Sequence, residues 1–403
     1  MDDPFDKVLT FEQIEQFKEE LQTNGPAAAA EKVNAYLKEQ DTIPLNIAIT
    51  GETGSGKSTF VNAFRGLDKK DKSAAAAPTG CVETTNEEKA YPHPKYPNVT
   101  LWDLPGIGTP KFQAENYLKQ FKFERFDFFI IISADRFKEN DVKLAKEIQR
   151  MEKKFYFVRS KMDQDMRNDE ETHRDFNEEK SLAKIRVDCV QGLENQGIRS
   201  PQVFLMSSRH LHLYDFHLLE ETLERELPAH KRDVMLLAMP IINLEIINKK
   251  KEALQSKIKF LAAASALGAA VPIPGFSCAL DLTMLVDNAI VYKNTFGLDP
   301  ESLQSLADSA RVPLHDLRAE MKSPLALKEI SSEVILNMLK VSAFHVASIA
   351  AEEVSRFIPL FGLAAAAAIS YASTYSALTI ILNMLAEDAQ RVFRKALGLD
   401  TSV

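Results

Sequence analysis

Apolar positions change their spacing twice along the chain. In the first segment Phe11, Ile14, Phe17 and Leu21 recur three or four apart among charged neighbours, which predicts a helix. Gly25-Pro26 breaks it, and Val33, Tyr36 and Leu37 predict a second helix beyond the break. From Leu45 onward short apolar runs appear instead, at Leu45–Thr50, Val99–Asp103, Phe126–Ser133, Phe155–Arg159 and Val203–Met206. Helical patterns separate them, at Lys57–Arg65, Asn140–Glu152, Glu178–Glu194 and Leu213–Glu226. Strands that do not alternate are buried on both faces, so this order predicts an α/β domain with a mostly parallel sheet covered by helices. Beyond Pro240 no strand pattern appears. Helices are predicted to the end, punctuated at Pro272, Pro274, Gly275, Gly297, Pro300, Pro313, Pro324, Pro359 and Gly362. The expected division is 1–42 for the N-terminal helices, 43–235 for the α/β domain and 236–403 for a helical domain joined by both chain ends.

Composition narrows the class. With 403 residues, 45% of them hydrophobic and 26% charged, the chain suits a globular protein of two or three domains. A net charge of −8 argues against a nucleic-acid partner, which calls for a basic stripe. Cys81, Cys189 and Cys278 are too far apart for a zinc site or a disulfide framework, and fit a reducing cytosol. Met1-Asp2-Asp3-Pro4 reads neither as a signal peptide nor as a myristoylation signal, and Asp400–Val403 is not a prenylation box. The alanine runs at 27–30 and 74–77 are low in complexity. Phe357–Leu385 carries no charge and is long enough to span a bilayer. Pro359, Gly362 and hydroxyls at Ser370, Ser373, Thr374, Ser376 and Thr379 also suit a buried bundle helix, and both readings stay open. Phe260–Leu280, broken by Pro272, Pro274 and Gly275, reads the same way, with flanking Lys249–Lys251, Lys257 and Lys259 suited to anionic headgroups or to a wet helix face.

The chemistry concentrates in Gly51-Glu52-Thr53-Gly54-Ser55-Gly56-Lys57-Ser58, a full match to G-x-x-x-x-G-K-(S/T) between a predicted strand and a predicted helix. Glycines let backbone amides converge on phosphates, Lys57 neutralises β/γ charge, and the Ser58 hydroxyl is expected on Mg2+. Asp103-Leu104-Pro105-Gly106 closes a strand, with Asp103 expected to reach Mg2+ through water and the Gly106 amide to meet the γ-phosphate. Ser160-Lys161-Met162-Asp163 ends another: Asp163 can accept from N1 and N2 of guanine, which adenine does not offer, and Lys161 can lie along the base. Ser207-Ser208 ends a third, where amides meet guanine O6. Each of the last three signals alone suits an ordinary surface turn. In this order, each at a strand's C-terminal end, they indicate a GTPase and argue against ATP.

Ser73–Thr85 occupies the place of a switch loop ordered by the γ-phosphate. Thr79, Thr84 and Thr85 are all candidates for sensing Mg2+ and the γ-phosphate, and Thr59, Gly80 and Met162 complete the expected nucleotide shell. After Gly106 stands Ile107 rather than a glutamine that orients water, so hydrolysis recruits a group from elsewhere or is very slow. Glu83 is the nearest acidic candidate, and a solvated loop glutamate is the equal alternative.

Gly51–Ser58, Leu101–Gly108, Phe126–Ser133 and Phe155–Asp163 resemble the immunity-related GTPases, interferon-inducible proteins of the vertebrate cytosol. The resemblance continues through Glu226–Arg232, Phe296–Leu303, Lys322-Ser323-Pro324 and Glu387-Asp388-Ala389, and so spans nearly the whole chain. It implies a Ras-like domain carried on a helical domain, Mg2+ as cofactor and, from Lys57, the lysine-bearing type that oligomerises on GTP and disrupts pathogen-containing vacuoles. It further implies that Thr79, Glu83 and Thr85 contact nucleotide or act across a dimer, that other family members regulate the protein, and that a cytoplasmic pool joins intracellular membranes conditionally. The alternative is a nucleotide-gated adaptor with slow hydrolysis and no action on membranes.

Overall fold

The computed structural model describes residues 11–67, 76–79, 87–105, 121–135, 137–269, 276–341 and 365–399. The chain divides into two compact units, Ile43–Ile242 and the pair Met1–Thr42 with Asn243–Val403.

The first unit is built on a six-stranded sheet in the order β2-β3-β1-β4-β5-β6. Its strands are β1 (Leu45–Thr50), β2 (Lys89–Pro92), β3 (Val99–Asp103), β4 (Phe128–Ser133), β5 (Lys154–Arg159) and β6 (Val203–Leu205). All pairings are parallel except β2 with β3. The centre of the sheet has no wet face: every residue of β4 is buried, which is why Phe128–Ile132 reads as an unbroken apolar run ahead of Ser133. Phe126 and Asp127 precede the strand because Phe126 N–H closes a 3-10 turn onto Phe123 O at 3.1 Å. The edge strand β2 has no counterpart in the apolar pattern. It is four residues long and only Tyr91 is buried. The unit runs to Ile242, past the expected 235, because the helix Ala229–Ala238 packs against β1 and β3. Lys231 on that helix donates to Asp127 Oδ1 at 2.5 Å, while Asp127 Oδ2 accepts from Asn46 N of β1 at 2.8 Å.

In the second unit the helix Pro26–Thr42 packs on Leu244–Ala269, which packs in turn on Ala365–Ala396. Ala29, Ala30 and Val33 are buried against Phe260, Ala264 and Leu267, so part of the first alanine run is a close-packing face. Ser265 Oγ lies 3.0 Å from Thr374 Oγ1 and 3.2 Å from Ser370 Oγ, and these hydroxyls satisfy one another between the long helices. The window within Ile369–Ala396 that is long and apolar enough to cross a membrane is 72% buried inside the protein. Residues 357–364 lie outside the described set, as do 270–275. The distant segments Lys322-Ser323-Pro324 and Glu387-Asp388-Ala389 meet: buried Asp388 accepts from Lys322 N at 2.8 Å and Ser323 N at 3.0 Å.

Candidate functional site

Register places the expected chemistry along one edge. Ile49 pairs with Asp103, Thr50 with Ile131, Ser133 with Arg159, and Arg159 with Leu205. The loops after β1, β3, β5 and β6 therefore leave the sheet at its C-terminal edge, where open α/β sheets bind ligands.

The loop after β1 is shaped by glycines in the left-handed region, Gly51 at φ 135°, Gly54 at 79° and Gly56 at 100°. Gly51 passes directly over β4: a Cβ there would sit 2.0 Å from Ile132 O. Gly56 opens the helix Lys57–Phe64, whose first amides face the loop. Lys57 is buried and its Nζ donates to Gly51 O at 3.1 Å and Glu52 O at 2.8 Å, curled over the loop's rim. Ser58 Oγ donates to Asp103 Oδ2 at 2.6 Å. A hydroxyl and a carboxylate side by side are the hard oxygen donors that Mg2+ takes, so these residues fit that ion. Ser55 Oγ is buried with no hydrogen-bond partner among the described residues. Thr53 and Gly54 are exposed on the phosphate loop, Thr79 is exposed, and Thr59 is partly buried. Gly80, Glu83, Thr84, Thr85, Gly106 and Ile107 lie outside the described residues.

The loops after β5 and β6 are joined. Ser207 Oγ donates to Asp163 Oδ1 at 2.8 Å, and Met162 N donates to Met206 O at 3.2 Å. Lys161 takes φ 60°, a turn that starts the helix Met162–Thr172. Ser160 Oγ reaches across to Ser55 O at 2.6 Å, bracing the phosphate loop from the base side. Ser208 follows Ser207 and is half-buried.

Sequence patterns missed several supporting residues. Asn62 pairs with the backbone of Ala77 in both directions, Nδ2 to O at 2.8 Å and N to Oδ1 at 2.7 Å, which fixes the chain two residues before Thr79. Arg186 Nη2 donates to both Asp215 carboxylate oxygens, at 2.9 and 2.7 Å, and Asp215 also accepts from Leu205 N, so the loop after β6 is held at both ends. Lys138, after β4, contacts the Glu52 carboxylate. Its own N–H donates to Asp141 Oδ2 at 3.1 Å, and burial pushes the Asp141 carboxyl up to about 6. The signals were present as residue types (an asparagine on a buried helix face, a lysine before a helix), but the partners are distant in sequence.

A strand–phosphate loop–helix, a carboxylate on the loop's serine and an aspartate-bearing base turn define the class of P-loop GTPases. The family profile for Interferon-inducible GTPase (IIGP) matches residues 10–396. Interferon-inducible GTPase 5 of Bos taurus is 41% identical over 391 residues, covering 97% of this chain and 83% of its own. Interferon-gamma-inducible GTPase 10 of Mus musculus is 37% identical over 398 residues, covering 98% and 92%. Among solved structures, Toc33 from Arabidopsis thaliana in complex with Mg2+ and GMPPNP overlaps at a TM-score of 0.30, with 14% identity over 44% of this chain and 77% of its own. The chain belongs to the interferon-inducible GTPase family, and it is a GTPase that hydrolyses GTP to GDP.

Proposed function

We propose that this GTPase holds Mg2+-GTP between Gly51–Thr59 and the base turn, assembles with a second copy through its nucleotide-binding face, and acts on intracellular membranes while assembled. The contact of Ser58 Oγ with Asp103 at 2.6 Å carries the nucleotide reading, because it brings the two expected Mg2+ groups together at the phosphate loop. Ser58 and Asp103 would hold Mg2+ there, and the ion would offset the phosphates' charge. Lys57 neutralises the transferring phosphoryl group, Asp163 reads N1 and N2 of guanine, Lys161 lies along the base, and Ser207-Ser208 lie toward O6; Met162, expected in the nucleotide shell, is instead fully buried in the core beneath the turn. We assign the γ-phosphate contacts to Thr79, Gly80 and the Gly106 amide.

Assembly is argued from catalysis. Ile107 follows Gly106, so no glutamine at that position orients the attacking water. We assign that task to Glu83, acting on the nucleotide of a second copy across the two switch faces. Turnover per molecule is then expected to rise about tenfold or more as protein concentration is raised through the dimerisation range, and Glu83→Ala should abolish the rise while retaining GTP binding. Turnover that stays flat and slow in both proteins would overturn assembly-driven hydrolysis and favour a nucleotide-gated adaptor.

The buried helix Ile369–Ala396 favours membrane contact that depends on conformation, from a cytoplasmic pool, over a permanent span. Purified protein is expected to stay in solution without detergent and to sediment with anionic liposomes more with a non-hydrolysable GTP analogue than with GDP. Equal sedimentation in both nucleotide states would remove the coupling, and a need for detergent at every step would remove the buried-helix reading.

A further inference from the structure

The phosphate loop of this chain carries an acid. Glu52 is its second residue, and a carboxylate at the rim of an anion site opposes the ligand the site must hold. Two contacts bear on that conflict. The Glu52 main-chain oxygen accepts from Lys57 Nζ at 2.8 Å, so this residue is already part of the lysine's setting. Its carboxylate contacts Lys138 Nζ, with the glutamate side chain 26% exposed and the lysine 57% exposed. That contact with Glu52 is also what raises the Lys138 ammonium above the usual lysine range. Lys138 is exposed, but its main chain is anchored. Its backbone N–H is fixed by Asp141 Oδ2 at 3.1 Å, which caps the helix Glu139–Arg150. Asp141 itself is fully buried, and both Glu52 and Lys57 act on its carboxyl electrostatically.

We infer that Lys138 is a positioning residue for nucleotide binding: it neutralises Glu52 and holds it clear of the phosphates, so that Lys57 and the loop amides act on the ligand unopposed. This inference rests on the phosphate-loop reading above and adds a charge outside the G-x-x-x-x-G-K-S motif to it. Removing the ammonium leaves the Glu52 carboxylate facing the phosphates, and the repulsion grows with ligand charge. GTP, with one more negative charge than GDP, should therefore suffer more. A purely structural role for Lys138 would weaken both nucleotides equally and would respond neither to salt nor to the charge of Glu52.

The experiment measures binding of fluorescent GTP and GDP analogues, with Mg2+, to the full chain and its variants at low and high salt. Lys138→Ala is expected to weaken the GTP analogue about tenfold, with a smaller loss for GDP and a smaller loss for both at high salt. Lys138→Arg, which keeps the charge, and the double variant Glu52→Gln with Lys138→Ala, which removes the conflict, should each return to within about threefold of the parent. Parent-like binding by Lys138→Ala overturns the inference, and so does a loss that persists undiminished in the double variant. Failure of the parent itself to bind either analogue overturns the phosphate-loop reading, and this inference with it.

Discussion

Gly51→Ala is expected to abolish nucleotide binding and to weaken the α/β unit itself. The residue sits at φ 135°, a conformation that side-chain-bearing residues rarely adopt. Strain alone would cost on the order of 1–3 kcal/mol. Space is the larger problem, because the added Cβ would lie 2.0 Å from Ile132 O and 3.0 Å from Ile132 C. Those are backbone atoms of a fully buried central strand, so no side chain can swing aside. Either β1 and β4 part, or the loop lifts away and carries its converging amides with it. Gly54→Ala is the matched control, since it shares a positive φ of 79° but its Cβ would meet nothing within 4 Å. Thermal melting and binding of a fluorescent guanine nucleotide check both variants. Gly51→Ala that melts like the parent and binds within about threefold would mean the loop does not cross β4 as described.

Much of this site was readable because its groups act locally. A phosphate loop needs glycines, a lysine and a hydroxyl in one short stretch, and the flanking apolar run and helical pattern supply its context. The central strands were readable for the same reason: burial on both faces leaves Ser133, at its end, as the single polar residue of β4. What escaped was decided by distant partners or by weak local signals. β2 joins the sheet at its edge through backbone pairing with β3, and its sequence Lys89–Pro92 has one buried side chain and ends in proline. The helix Met162–Thr172 is so charged that only Met162 and Met166 are buried, so it has no apolar stripe to read. Asn62 with Ala77, Lys138 with Glu52 and Arg186 with Asp215 join residues that periodicity treats as unrelated. The family segments in the helical unit show the same limit, because Asp388 and Lys322 make sense only once the fold brings them together.

Asp163→Asn is expected to turn the base site from guanine to xanthine. Asp163 already gives one carboxylate oxygen to Ser207 Oγ, at 2.8 Å, and the Met162 N–H bond to Met206 O ties its turn to the loop after β6. Its orientation is therefore set by the protein before any base arrives, which is the condition for discrimination rather than mere adhesion. Under the proposed role the oxygen that takes the Ser207 bond also accepts from N1–H of guanine through its second lone pair, and the other carboxylate oxygen accepts from N2–H₂. Asparagine can keep the Ser207 bond through its own oxygen, which leaves its NH₂ facing the base. Guanine then meets a donor with a donor, a mismatch worth about 1–3 kcal/mol, or roughly one to two orders of magnitude in affinity. Xanthine carries an oxygen at position 2 where guanine carries an amine, so the new NH₂ finds an acceptor. The variant should bind and hydrolyse xanthosine triphosphate better than GTP, with its melting temperature close to that of the parent. Phosphate contacts are untouched, so turnover with the matched nucleotide should recover most of the parental rate. Retained GTP affinity with no gain for xanthosine triphosphate would place guanine recognition on other residues, and equal binding of ATP would remove the β5 turn from the base site altogether.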